Sequence, residues 1–139
     1  MLSLELAKAL KAAGLIWQPT QRDFFAVPDR GMDDSIFVLN FMLVGIARIH
    51  SEPVIAFYGT VEHAIDYLPF LEAVWLPSEA QLRVLIEERL VQEETPTLNL
   101  NSTADGYRCQ IHYRAETLSF EGFGVTEVYG QALLHILEH

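Results

Sequence analysis

Lysine is almost missing from this chain: Lys8 and Lys11, both in MLSLELAKALKAAG, are the only two. A P-loop needs a lysine after the last glycine of GxxxxGK[ST] so that an ammonium reaches the phosphates. No glycine precedes either lysine, so P-loop nucleotide hydrolysis is excluded. Cysteine occurs once, as Cys109, which rules out an internal disulfide and a metal site built on several thiolates. There is no GxSxG elbow, no HExxH pair and no GxGxxG turn. Positive charge is scarce as well. Nine Lys and Arg against 19 Asp and Glu leave a formal charge of -10. Such a balance repels phosphate backbones and anionic membrane surfaces, so basic partners are favoured over nucleic acid or lipid.

Long apolar runs are also lacking. The longest, Ile36 to Ile49, is broken by Asn40, Gly45 and Arg48 and falls short of the roughly 18 residues of a membrane span, so it reads as a pair of buried strands. The opening residues have no long apolar core and no cleavage site, against a secretory signal. The expectation is a soluble, cytoplasmic protein. Leu137-Glu138-His139 resembles the start of a purification tag, which sets residues 138–139 apart from a single domain over 1–137.

What is present is half hydrophobic, 50% of 139 residues, enough for a core that removes roughly two thirds of the unfolded surface from water. Ser3 can cap a helix over 4–13, and Gly14 can end it. FFAVP, residues 24–28, reads as a strand. Further strands follow at Ile36 to Leu39, Phe41 to Ile49 and residues 54–59. Thr60 can cap a short helix over 61–68 that Pro69 stops. TLNLN, GYRCQIHYR and TLSFE, within 97–121, form an antiparallel three-stranded meander. A closing helix over 127–137 carries the stripe Val128, Tyr129, Ala132, Leu133 and Ile136. The fold expected is α+β, with antiparallel strand groups at 24–59 and 97–121 joined in one sheet and packed with helices at 4–13, 61–68, 79–91 and 127–137.

Trp-x-Pro followed by a hydroxyl residue occurs twice, in WQPTQRDF (17–24) and WLPSEAQL (75–82). In the second copy Ser78 and Gln81 make a capping box, and Leu82, Leu85, Ile86 and Leu90 recur at helical spacing, so a helix over 79–91 starts there. The first copy leads into an aromatic strand with no helical period after Thr20. The two are read as different local structures.

Candidate chemistry gathers in three places. In PDRGMDDS, Asp29, Asp33 and Asp34 surround Arg30. Clustered carboxylates suit Mg²⁺ or Ca²⁺, and crowding could raise one carboxyl pKa for acid/base use, although aspartates at turns commonly serve local hydrogen bonding. In the 106–114 strand, alternation sends Tyr107, Cys109, Ile111 and Tyr113 to one face and Arg108, Gln110, His112 and Arg114 to the other. Cys109 then points inward as an inert thiol, while the basic stripe holds an anionic partner or pairs across the hairpin with Glu116 and Glu121. Trp17 and Trp75, with Phe24, Phe25 and Phe70, line an aromatic pocket or close the core. His63 and Asp66 share a helical face but are too few for a metal site.

The segments LIWQP, FFAVPDRGMDDSIFVLN, YGTVEHAID, WLPSEAQLRVLIEERL and VYGQALLHIL, in that order, resemble a family of short, functionally uncharacterised bacterial proteins, some labelled pilus assembly proteins. The resemblance covers nearly the whole chain and implies that PDRGMDD and WLPSE are recurring features. It brings no catalytic residue and no cofactor. The function expected is that of a cytoplasmic interaction or accessory protein without catalytic activity, acting with a protein partner or as a homodimer. The alternatives are a metal-dependent or acid/base enzyme using Asp29, Asp33 and Asp34, and a small-molecule sensor with an aromatic pocket.

Overall fold

A computed structural model of the chain describes residues 1–28, 35–40, 44–49, 51–57 and 67–139. Its architecture is α+β, and the chain divides into two compact units. One is the continuous segment Trp17–Leu76; the other joins Met1–Ile16 to Pro77–His139. The two Trp-x-Pro copies therefore stand at the two ends of the inserted segment.

In the discontinuous unit, helix α1 (Leu4–Ala12) starts where the Ser3 hydroxyl accepts the Leu6 N–H at 3.3 Å, and it buries Ala7 and Leu10. Helix α2 (Glu79–Leu90) starts on the expected capping box: Ser78 Oγ accepts the Gln81 N–H at 3.2 Å, and Gln81 Oε1 accepts the Ser78 N–H at 2.9 Å. Leu82, Ile86 and Leu90 are its buried stripe. Helix α3 (Val125–Glu138) buries Val128, Tyr129, Ala132, Leu133 and Ile136, and begins slightly before the expected 127 because Gly124 takes the cap position. It packs against both other helices and against the sheet. Gly130 allows the approach to α1, since a β-carbon there would press into the Leu6 side chain.

The sheet is the expected meander, β7 (Leu98–Thr103), β8 (Gly106–Tyr113) and β9 (Glu116–Gly122), in the order β7-β8-β9 and antiparallel throughout. Cys109 and Ile111 of β8 are buried, and Leu98, Leu100, Leu118 and Phe120 are half-buried around them. Asn99, Asn101, Arg108, Thr117, Ser119 and Glu121 are exposed.

The described residues of the Trp17–Leu76 unit form two further antiparallel sheets. Strands β1 (Phe24–Ala26), β2 (Ile36–Val38) and β6 (Val74–Leu76) are ordered β2-β1-β6, and β3 (Val44–Ile49), β4 (Glu52–Phe57) and β5 (Tyr67–Pro69) are ordered β3-β4-β5. One core cluster draws on both, with Phe25 and Ile55 each at 0% exposure.

Three expectations need correction. Among the described residues the strands form separate three-stranded sheets rather than one, because β1 takes β6 as its second neighbour, a strand of three residues too short to show alternation. Tyr67 and Leu68, expected to end a helix over 61–68, lie in β5, paired with Ala56 and Ile55; cross-strand pairing overrides local helical preference there, and residues 61–66 lie outside the described set. Arg114 is not on the strand face. With φ of 50° and 64°, Arg114 and Ala115 are the two-residue turn between β8 and β9, as a tight hairpin twisted like its strands requires.

Candidate functional site

The residues singled out from the sequence fall in three different settings. Asp29, Arg30, Asp33 and Asp34 lie outside the described residues, as do His63 and Asp66. Trp17 is a core residue, 8% exposed, with its ring 5.0 Å from Phe70 and 5.5 Å from Phe25. Its indole N–H donates to Asp23 Oδ2 at 2.8 Å. Trp75 packs on the same cluster, and its buried indole nitrogen meets no acceptor among the described residues.

Asp23 carries no signal in the sequence, yet it organises the first Trp-x-Pro copy. Besides the indole, it accepts the Thr20 N–H at 2.9 Å and the Thr20 hydroxyl at 3.0 Å. In each copy, then, the hydroxyl residue donates its N–H to a side-chain oxygen three residues on. One clasp closes a turn ahead of β1, and the other opens α2.

On β8, alternation holds from Tyr107 to Tyr113. Arg108 reaches Glu121 across the ladder, with Nε at 2.9 Å and Nη2 at 2.8 Å from the same oxygen. Both side chains are about half exposed or more, so the pair contributes under about 1 kcal/mol. His112 Nδ1 lies 3.5 Å from Thr117 Oγ1. The Arg114 guanidinium lies 5.3 Å from the Tyr113 ring centre, and its backbone N–H donates to the Glu93 carboxylate at 3.2 and 3.3 Å. The basic stripe thus resolves into one cross-strand pair, one histidine and one turn residue.

Cys109 is the expected interior thiol. It is fully buried, and burial pushes its pKa up from 9.0 to about 11. Because the folded value lies above the unfolded one, the fold favours the neutral thiol. Stability from this group is complete below about pH 9 and is lost as pH rises toward 11, by on the order of 2–3 kcal/mol. The native thiol should therefore react with a water-soluble disulfide reagent only at the rate of unfolding, and rapidly in denaturant. Fast reaction in native buffer would overturn the assignment.

A cleft of about 510 Å³ opens beside Arg108. Its walls include Asp105 in the β7–β8 turn, Tyr107 and Arg108 on β8, Glu121 on β9, and Phe123 and Glu127 where the chain turns into α3. The backbones come close at one end: a β-carbon on Gly106, whose φ is +152°, would be driven into the Gly122 carbonyl. Glu127 accepts the Phe123 N–H at 3.3 Å and the Gln131 amide at 3.4 Å. Phe123 is 87% exposed. It precedes the cap residue Gly124, the position from which an apolar side chain commonly folds onto the fourth helical residue. That residue, Val128, is at 0% exposure, while Phe123 projects into solvent.

Phe123, Asp105 and Glu127 were not found by sequence reasoning. Nothing in the sequence separates an aromatic residue that packs onto the helix after it from one that does not, and only the fold shows Phe123 to be exposed. Among the described residues, no three His, Cys, Asp or Glu side chains converge as a metal site, and no helix is long and apolar enough to cross a membrane. Compared with protein-family models, curated proteins and solved structures, the chain matches none of them.

Proposed function

We propose that this chain is a non-catalytic accessory protein of the bacterial cytoplasm that binds a basic segment of a protein partner in the cleft beside Phe123. The observation that carries the reading is the 87% exposure of Phe123, an aromatic side chain that its own helix leaves unpacked. Aromatic and arginine side chains supply most of the energy of protein contacts, and Tyr107 and Arg108 line the same cleft. Asp105, Glu121 and Glu127 outnumber Arg108 there, so a lysine- or arginine-bearing segment is complementary, in keeping with the net charge of -10.

The test is titration of isotope-labelled protein with peptides that combine lysine or arginine with an apolar residue. Amide shifts should concentrate at residues 105–108 and 121–127 and weaken with added salt. Phe123→Ala should leave the unfolding midpoint unchanged and weaken binding about 30-fold, the effect of removing one anchor worth about 2 kcal/mol. Shifts spread over the whole acidic surface and unaltered in that variant would overturn the proposal.

A further inference from the structure

Beyond the cleft, the other edge of the same sheet carries an independent message. β7 hydrogen-bonds to β8 alone among the described strands, so it is an edge, and β9 is the opposite edge. Proteins blunt exposed edges with charge, proline, bulges or brevity. β9 has Glu116 and Glu121. β7, LNLNST, has no charge and no proline, runs for 6 residues, and pairs with β8 without a break in register. Asn99, Asn101, Ser102 and Thr103 are exposed. In a chain with net charge -10, an uncharged exposed edge of this length stands apart.

The phase of the ladder decides which backbone groups face outward. His112 N–H donates to the Thr97 carbonyl at 3.3 Å, which makes Thr97 and His112 a hydrogen-bonded pair. Such pairs alternate along an antiparallel ladder, so Thr97, Asn99, Asn101 and Thr103 direct their N–H and C=O toward β8. The corresponding groups of Leu98, Leu100 and Ser102 point away from the sheet.

We infer that β7 is a self-association edge: a second copy of this chain pairs its own β7 antiparallel to the first, about a two-fold axis at Leu100. A two-fold operator sets each residue near its counterpart, so a charged edge would meet its own sign, whereas an uncharged one does not. Centring on Leu100 brings together only outward-facing residues: Leu100 pairs with Leu100 of the second copy, and Leu98 with Ser102. Every outward N–H and C=O between Leu98 and Ser102 then gains a partner. On the open face the same register sets Asn99 opposite Asn101 of the second copy, and an amide both donates and accepts, so the pair is self-complementary. The two sheets become one continuous antiparallel sheet.

The charge pattern also supplies the test. The wild-type chain should dimerise in a concentration-dependent manner by sedimentation equilibrium. The double variant Asn99→Asp, Asn101→Asp sets carboxylate against carboxylate across the axis at exposed positions. It should dimerise about tenfold more weakly, with an unfolding midpoint equal to that of wild type at concentrations low enough for both chains to be monomeric. The double variant Asn99→Lys, Asn101→Asp sets an introduced ammonium opposite an introduced carboxylate of the second copy, twice over, and should dimerise at least as well as wild type. A monomeric wild type at the highest soluble concentration would overturn the inference, and so would a dimer indifferent to both variants. Phe123→Ala should leave dimerisation intact, which keeps failure of the cleft proposal separate from failure of this one.

Discussion

Phe25→Ala is expected to lower the stability of the Trp17–Leu76 unit by about 3–5 kcal/mol. Phe25 is the central residue of β1, at 0% exposure, with its ring 5.5 Å from Trp17 and 5.4 Å from Phe37. Truncation removes the ring's transfer energy and leaves a void that its neighbours, tied to short strands, can close only in part. Phe25→Leu keeps most of the volume and should cost less than half as much. Both tryptophans of the chain lie in this unit, so denaturant unfolding followed by tryptophan fluorescence reads the effect directly. A loss below about 1 kcal/mol for the alanine variant would show that the ring is not the centre of the core.

The second large effect is at Asp23, which is 3% exposed. Asp23→Ala strands the Trp17 indole N–H in a nearly dry site and removes both bonds to the exposed Thr20. A buried donor left unmatched costs about 1–3 kcal/mol, so a total loss of about 2–4 kcal/mol is expected. Asp23→Asn keeps one acceptor oxygen and loses the charge assistance, for a loss of about 1–2 kcal/mol. Equilibrium unfolding again measures both. Equal losses for Ala and Asn would show that the carboxylate acts through its charge rather than through the separate bonds of its two oxygens.

Legibility in the sequence followed the range of the interactions. The alternation that buries Cys109 and Ile111 and exposes Arg108 is written in consecutive residues of one strand, so the side chain facing the core could be read before any fold was known. The Ser78–Gln81 box spans three residues and was equally clear. The Arg108–Glu121 pair could be anticipated because a tight hairpin sets the register of its two strands. Arg114 was misplaced because the end of alternation and the start of a turn look alike when neither turn residue is glycine. Asp23 was overlooked because an aspartate before a strand carries no sign that an indole six residues earlier will donate to it.

By itself, then, the sequence determined the α+β class, the caps of α1 and α2, the meander and its faces, and the exclusion of P-loop chemistry. Each rests on spacing within one element or one hairpin. The tertiary structure alone decided that β6 returns to β1, that the strands divide into separate sheets, that Phe123 is left exposed at the start of α3 and that β7 is an edge among the described strands. These are outcomes of non-local pairing, in which residues far apart in the chain compete for the same backbone groups and the same core volume, and that competition leaves no periodic trace in any one segment.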